Sequence, residues 1–255
     1  MGDRTLFERL LGKRKWLERT RKYAFILCPP YCGSTLLSQI LASSKNVSIN
    51  NPHGTCEGQT LPEVRDHLFV ENRWDENLQI DWTFVKQAWE SHWDSKKSIF
   101  LEKSPPNILR ARQLKANFEP AFFFLMWRNP YAHCESQIRR NGNSPQGAAG
   151  FAIRCLNLQR RNIEQLDNIL PISYEELTTN PTSFVQQANS FLPQLGRLRI
   201  TGSFNIHNML ERQLAIQNMN REKIAALSSR ERQEINAVFN DNLNTLEYFG
   251  YRLID

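Results

Sequence analysis

Two stretches of this chain carry residues whose types and spacing suit the holding of anions. The first, residues 23–37, reads YAFILCPPYCGSTLL: an apolar run ends at two prolines and gives way to Tyr31-Cys32-Gly33-Ser34-Thr35. Glycine lets the backbone approach a ligand closely. Successive amides at a helix start point outward together, and the hydroxyls of Ser34 and Thr35 add donors. That is the chemistry of a phosphate cradle, although Ser34 or Thr35 capping an ordinary strand-to-helix turn has the same sequence. Nucleotide triphosphatases need Gly five positions before the second Gly and Lys just after it. Here Cys28 and Ser34 stand in those places, which argues against ATP or GTP hydrolysis. The loop holds no Lys or Arg of its own, so any cation must come from elsewhere. Cys32, at a helix start that would stabilise a thiolate, is expected to be reactive when the loop is empty.

The second stretch, residues 122–140, reads FFFLMWRNPYAHCESQIRR. A buried strand should end at Arg128 and a helix begin at Pro130, with Ser136 inside it. Arg139 and Arg140 follow Ser136 at three and four residues and share its face. A guanidinium grips phosphate oxygens at two points, so Arg at a strand end beside a helix-borne Ser makes a compact anion site. The plainer alternative is a salt-bridged Arg and a solvated Ser.

The elements that would position these residues alternate. Strands are expected at 23–28, 47–49, 98–101, 121–127 and 169–172, and helices at 35–43, 61–71, 82–93, 107–117, 130–140, 148–167, 183–191 and 230–249. Strands separated by helices imply an α/β fold with a mainly parallel sheet flanked by helices, whose ligands sit at the carboxyl ends of the strands. At 255 residues, with no repeat or low-complexity linker, the chain is expected to be one domain, 1–255. The Gly- and Pro-bearing segments 141–150 and 193–205 are the expected mobile loops. Trp82, Trp89 and Trp93 fall on one helical face with Trp74 nearby; they suit a helix core better than a sugar platform.

Composition narrows the partners. The net charge is +6, and five of those charges come from the first 22 residues, which hold eight Lys/Arg against three Asp/Glu. That basic, helix-patterned extension, anchored by Leu6, Leu10, Leu11 and Trp16, reads as a solvated helix packed on the domain. Neither aromatic-and-basic repeats nor a recognition helix points to nucleic acid. No run approaches the length of a membrane span, and no apolar leader precedes the basic segment. Cys28, Cys32, Cys56, Cys134 and Cys155 have no metal-ligand spacing, and their odd number argues against a disulfide framework. A reducing cytoplasm and a site without metal are the expectation.

Taken in order, these motifs resemble the sulfotransferases that use 3′-phosphoadenosine-5′-phosphosulfate (PAPS), which have a P-loop-like fold. The first family motif is a strand, Pro-(Lys/Arg)-(Ser/Thr)-Gly-(Thr/Ser)-Thr, and a helix; Pro30, Gly33, Ser34 and Thr35 match it. The second places Arg at a strand end, Asp/Asn-Pro next and Ser eight residues on, as Arg128, Asn129, Pro130 and Ser136 do. Glu102-Lys103-Ser104-Pro105, Tyr174-Glu175-Glu176-Leu177 with Asn180-Pro181, and Phe249-Gly250-Tyr251 extend the likeness over residues 23 to 251.

The resemblance implies transfer of a sulfuryl group from PAPS to a hydroxyl or amine of a carbohydrate or small metabolite. It implies that Tyr31, Cys32, Gly33, Ser34 and Thr35 hold the 5′-phosphosulfate, that Arg128 and Ser136 hold the 3′-phosphate, and that Tyr174 lies near the nucleotide. Tyr31 departs from the pattern, since a phenol brings no positive charge. Lys103 is the expected substitute cation, and Glu57, with His53 as runner-up and Glu63 also in reach, the expected general base. The competing functions are a small-molecule kinase and a nucleotide-binding relative that has lost activity. The second gains ground if Lys103 points away from the loop.

Overall fold

The computed structural model describes residues 21–201, 203–205 and 213–254. All but the last two residues of the expected basic extension lie outside the described residues. Five strands, β1 (Lys22–Leu27), β2 (Val47–Ile49), β3 (Ile99–Lys103), β4 (Ala121–Trp127) and β5 (Ile169–Ser173), form a parallel sheet in the order β2-β3-β1-β4-β5. Central β1 has neighbours on both edges, so its main-chain groups are paired twice over. Its side chains alternate between two cores. Tyr23, Phe25 and Leu27 join Trp89, Phe118 and Phe123 on one face, while Ala24 and Ile26 join Leu36, Leu37 and Phe124 on the other. A strand buried on both faces has no polar side to show, which is why KYAFIL reads as a continuous apolar run.

Helices cover both faces. α1 (Ser34–Ala42) follows β1; α2 (Pro62–Leu68), α3 (Trp82–His92) and α4 (Asn107–Asn117) surround β3; α5 (Pro130–Asn141) and α6 (Pro145–Gln165) follow β4. After β5 come α7 (Tyr174–Thr179), α8 (Pro181–Phe191), α9 (Asn220–Ala225), α10 (Ser229–Asn240) and α11 (Leu243–Tyr248). A third core, with Tyr131, Cys134, Ala152, Leu156, Ile235, Phe239 and Leu246, packs α5, α6, α10 and α11 together. Among the described residues no helix is long and apolar enough to cross a membrane.

The structure corrects three expectations of element placement. Residues 145–150 are not loop but the start of α6: the Ser144 hydroxyl accepts from the Gly147 amide at 3.1 Å, and Pro145 occupies the first turn. Ser-Pro is a strong helix start, and it outweighs the two glycines that suggested a loop. The last expected helix is two, α10 and α11, because the chain turns at Asp241-Asn242. Within the other expected loop, β6 (Ser203–Asn205) pairs antiparallel with β7 (Gln213–Ala215). Trp89 and Trp93 are buried, Trp93 stacking on Phe100 with ring centroids 5.0 Å apart, so these rings belong to the core as expected.

Candidate active site

The carboxyl ends of β1, β3, β4 and β5 surround a cavity of about 750 Å³. Among the described residues five basic side chains, Arg73, Lys103, Arg128, Arg140 and Lys223, line it with a single carboxylate, Glu57. Such a lining suits an anion.

On the β1 side the wall is the loop into α1. Gly33 has φ 96°, and a Cβ built on it would lie 2.6 Å from Cδ2 of Tyr174. Left-handed backbone and that contact both demand glycine. Among the described residues no side chain caps α1 and no acidic residue sits in its first turn; the Ser34 amide and hydroxyl lie against the buried Cys28 sulfur, and the positive dipole end of the helix is at the cavity. Gly33, Ser34, Thr35 and Leu36 all line the cavity. Cys32 does not. Its side chain is packed in the core with Leu36 and Met126, and burial pushes the thiol well above its ordinary range. The expected reactive thiol is therefore overturned, because desolvation of a thiolate outweighs a helix terminus.

Arg128 directly follows β4 and is buried. Its Nε donates to Oδ1 of Asn220 at 2.7 Å, Nη1 donates to the Tyr31 carbonyl at 2.8 Å, and the guanidinium lies 4.2 Å from the Tyr174 ring centroid. Its Nη2 is buried with no partner among the described residues. An orphaned charged donor is costly in a folded interior, and here it belongs to a residue that lines the cavity. Ser136 lies on the same wall, its hydroxyl turned to the Ala132 carbonyl at 3.2 Å. Behind both sites, Gln159 of α6 is fully buried and donates from one amide nitrogen to the carbonyls of Leu27 (2.7 Å) and Met126 (2.8 Å). It ties the ends of β1 and β4 together where they diverge toward the two loops.

Lys103 is the last residue of β3, and its ammonium reaches the cavity. It donates to the Thr55 carbonyl at 2.6 Å and stands 3.5 Å from Oε1 of Glu57. Glu57 takes its second contact, 2.5 Å, from Gln59. The partner of Lys103 is thus Glu57 and not its neighbour Glu102. Glu102 points the other way, fully buried, where it accepts from Ser104 (2.5 Å), from the Gly58 amide (3.0 Å) and from Asn107. Burial pushes its carboxyl up to about 7, against the pull of these donors. By holding the Gly58 amide, Glu102 anchors the turn that carries Glu57. His53 is exposed on the turn before it and lies outside the cavity lining, while Glu63 pairs with His92 at 3.1 Å.

The wall away from α1 is apolar. Phe69, Trp74, Pro105, Pro106 and Phe151 line it; Trp74 meets Phe151 edge-on at 4.8 Å. Arg73 stacks on Phe69 at 4.7 Å and is secured by its own Nη1 on the Val70 carbonyl.

Several of these residues were not legible in the sequence. Asn220 is 92 residues from Arg128 in the chain, and Lys223, 2.7 Å from Glu135, comes from the same late helix α9. Arg140 was noticed as a neighbour of Ser136, but its centre lies 5.1 Å from the Tyr31 ring, a pairing across segments that no local pattern signals.

Comparison with known proteins places this geometry. A family model described as the sulfotransferase family matches residues 24–193. The sulfotransferase domain of the curacin biosynthetic pathway superposes with TM-score 0.53 at 18% identity, covering 92% of this chain and 99% of that one. The corresponding domain of the Synechococcus PCC 7002 olefin synthase gives TM-score 0.54 at 20% identity over 92% and 96%. A sulfotransferase from Alicyclobacillus acidocaldarius gives 0.54 at 15% over 90% and 95%. At these identities the structures share the fold. No curated protein matches the sequence.

Proposed function

The chain belongs to the sulfotransferase family, and we propose that it moves a sulfuryl group from PAPS to a hydroxyl or amine of a small acceptor. The observation that carries this reading is the buried Nη2 of Arg128, without a partner among the described residues and on the lining of the same cavity as the start of α1. Two separated anion sites suit a nucleotide with phosphate at both its 5′ and 3′ positions. AMP and ATP have no 3′-phosphate and would leave Arg128 unsatisfied.

In this reading the amides of Gly33 to Leu36 with Ser34 and Thr35 hold the 5′-phosphosulfate, Arg128 and Ser136 hold the 3′-phosphate, and the Tyr174 ring stacks beneath Arg128. Bound there, the donor supplies the sulfuryl group: the acceptor oxygen or nitrogen bonds to sulfur while the bond from sulfur to the 5′-phosphate oxygen breaks, its electron pair staying on that oxygen. The Glu57 carboxylate takes the acceptor's proton, and Lys103, 3.5 Å away, holds Glu57 in place and donates to the transferring group. Because Lys103 faces the cavity, an inactive relative is the weaker reading. The aromatic and proline wall opposite suits an acceptor with a flat apolar face, including the carbon face of a sugar.

Calorimetry with adenosine 3′,5′-bisphosphate and with AMP tests the reading. A desolvated Arg–phosphate pair predicts roughly a hundredfold preference for the bisphosphate; equal affinities would overturn it. A screen of phenols, hydroxylated alkyl compounds and sugars with labelled PAPS then finds the acceptor.

A further inference from the structure

We infer that Arg140 supplies the positive charge that the donor loop lacks, held over that loop by Tyr31. The inference rests on the donor reading above and deepens it. The family's usual loop cation is here divided in two: a phenol in the loop and a guanidinium from the end of α5.

The case begins with the other cations of the cavity. Lys103 faces the Glu57 carboxylate at 3.5 Å and Lys223 faces that of Glu135 at 2.7 Å, so each pair is close to neutral. Arg128 is occupied on two of its nitrogens by Tyr31 and Asn220, and Arg73 is stacked on Phe69 at the apolar wall with its Nη1 on the Val70 carbonyl. Arg139, next to Arg140, is spent on a two-point pair with Glu231 at 2.6 and 2.9 Å. Arg140 lines the cavity and has no carboxylate partner among the described residues. A 5′-phosphosulfate carries negative charge that the α1 terminus offsets only in part, about half a unit charge.

The geometry explains how Arg140 is kept there. The Tyr31 hydroxyl donates to Oδ1 of Asn141 at 2.7 Å, and Asn141 in turn donates to Gln137 at 2.7 Å. The last turn of α5 is thereby tied to the loop, and the Arg140 guanidinium rests 5.1 Å from the centre of the Tyr31 ring. The negative end of α5 also favours a cation at that position. Tyr31 itself has φ 62°, a left-handed conformation that a bulky residue adopts only when its surroundings hold it. Three contacts do so: Arg128 on its carbonyl, Asn141 on its hydroxyl and Arg140 over its ring.

Nucleotide binding tests this without an acceptor. The probes are adenosine 5′-phosphosulfate, which reports on the loop, and adenosine 3′-phosphate, which reports on Arg128. Arg140→Ala is expected to weaken the first by roughly ten- to a hundredfold, the worth of a charge-assisted contact, and the second by less than twofold. Adding Tyr31→Lys to Arg140→Ala should recover most of the loss, a rescue that a purely structural role for Arg140 would not give. Tyr31→Phe, which keeps the ring and cuts the Asn141 tie, should cost a few-fold. If the wild type binds both probes but Arg140→Ala leaves the 5′ probe unchanged, or Tyr31→Lys restores nothing, the inference falls and the donor reading stands. If the wild type binds neither probe, both fall together.

Discussion

The two ends of the cavity are built by different means. The end at α1, β4 and α5 consists of backbone amides, strand termini and buried polar groups, each fixed by bonds to distant parts of the chain: Arg128 to Asn220, Tyr174 to the Gln217 carbonyl, Gln159 to two strands. The opposite end is apolar side-chain surface, mostly on connecting segments, where Phe69 is 37% exposed and the Arg73 side chain is secured within its own turn. One end is dictated by the fold. The other is adjustable, since loops tolerate substitution that strand ends do not. A fold that reuses one donor for many acceptors would divide its surface in this way.

The sharpest way to break the comparison is at the seam between the two ends. Lys103→Ala should lower turnover by roughly a hundred- to a thousandfold, the usual cost of a lost preorganised donor, while bisphosphate affinity changes only a few-fold. Steady-state rates at saturating PAPS, beside calorimetry, separate the two effects; a near-normal rate would remove Lys103 from the chemistry.

Glu102 gives the next largest effect, read as stability against pH. Its carboxyl is raised from the usual 4.5 to about 7 in the fold, so folding favours its protonated form. That stabilisation is complete below the unfolded value and is lost as pH rises through the folded one. Between pH 5 and 8 the wild type should lose up to about 3 kcal/mol that Glu102→Gln does not lose. Asn107 can turn its amide to meet the new side chain. Denaturant midpoints of both proteins across that range decide it, and parallel curves would contradict the assignment.

Gly33→Ala forces a Cβ to within 2.6 Å of Tyr174 at φ 96°. The conformation alone costs about 1–2 kcal/mol, and melting temperature and nucleotide affinity should both fall. Phe69→Ala, at the adjustable end, should be the mildest: roughly a tenfold loss in acceptor kcat/KM, about 1.4 kcal/mol, with donor affinity unchanged. If Phe69→Ala weakened the nucleotide instead, the two ends would not be separate.

The same division governs what the sequence made legible. β1 and β4 could be bounded within a residue or so because strands buried on both faces are unbroken apolar runs, and Gly33, Arg128 and Ser136 stand at fixed offsets from those runs. Lys103 lines the cavity, and β3 runs two residues beyond its expected end because Glu102 and Lys103, though polar, are buried in the strand. What escaped was everything that depends on contact across the chain. The pairing of Lys103 with Glu57, the Asn220 hold on Arg128 and the Arg140–Tyr31 stack have no local period or spacing. Cys32 misled because its place in the chain suggested a terminus, while its side chain turned inward.

Gln159 has one more implication. Its single amide nitrogen fixes the Leu27 and Met126 carbonyls, at the ends of the two strands that lead to the loop before α1 and to Arg128. In the proposed reading, the interval between the two phosphates is set in part by that buried tie. Charge decides whether a phosphate is welcome at either site, but a buried amide decides how far apart two phosphates must be. On that reading the protein carries a gauge, and a nucleotide with its second phosphate moved to the 2′ position is expected to bind more weakly while matching in charge.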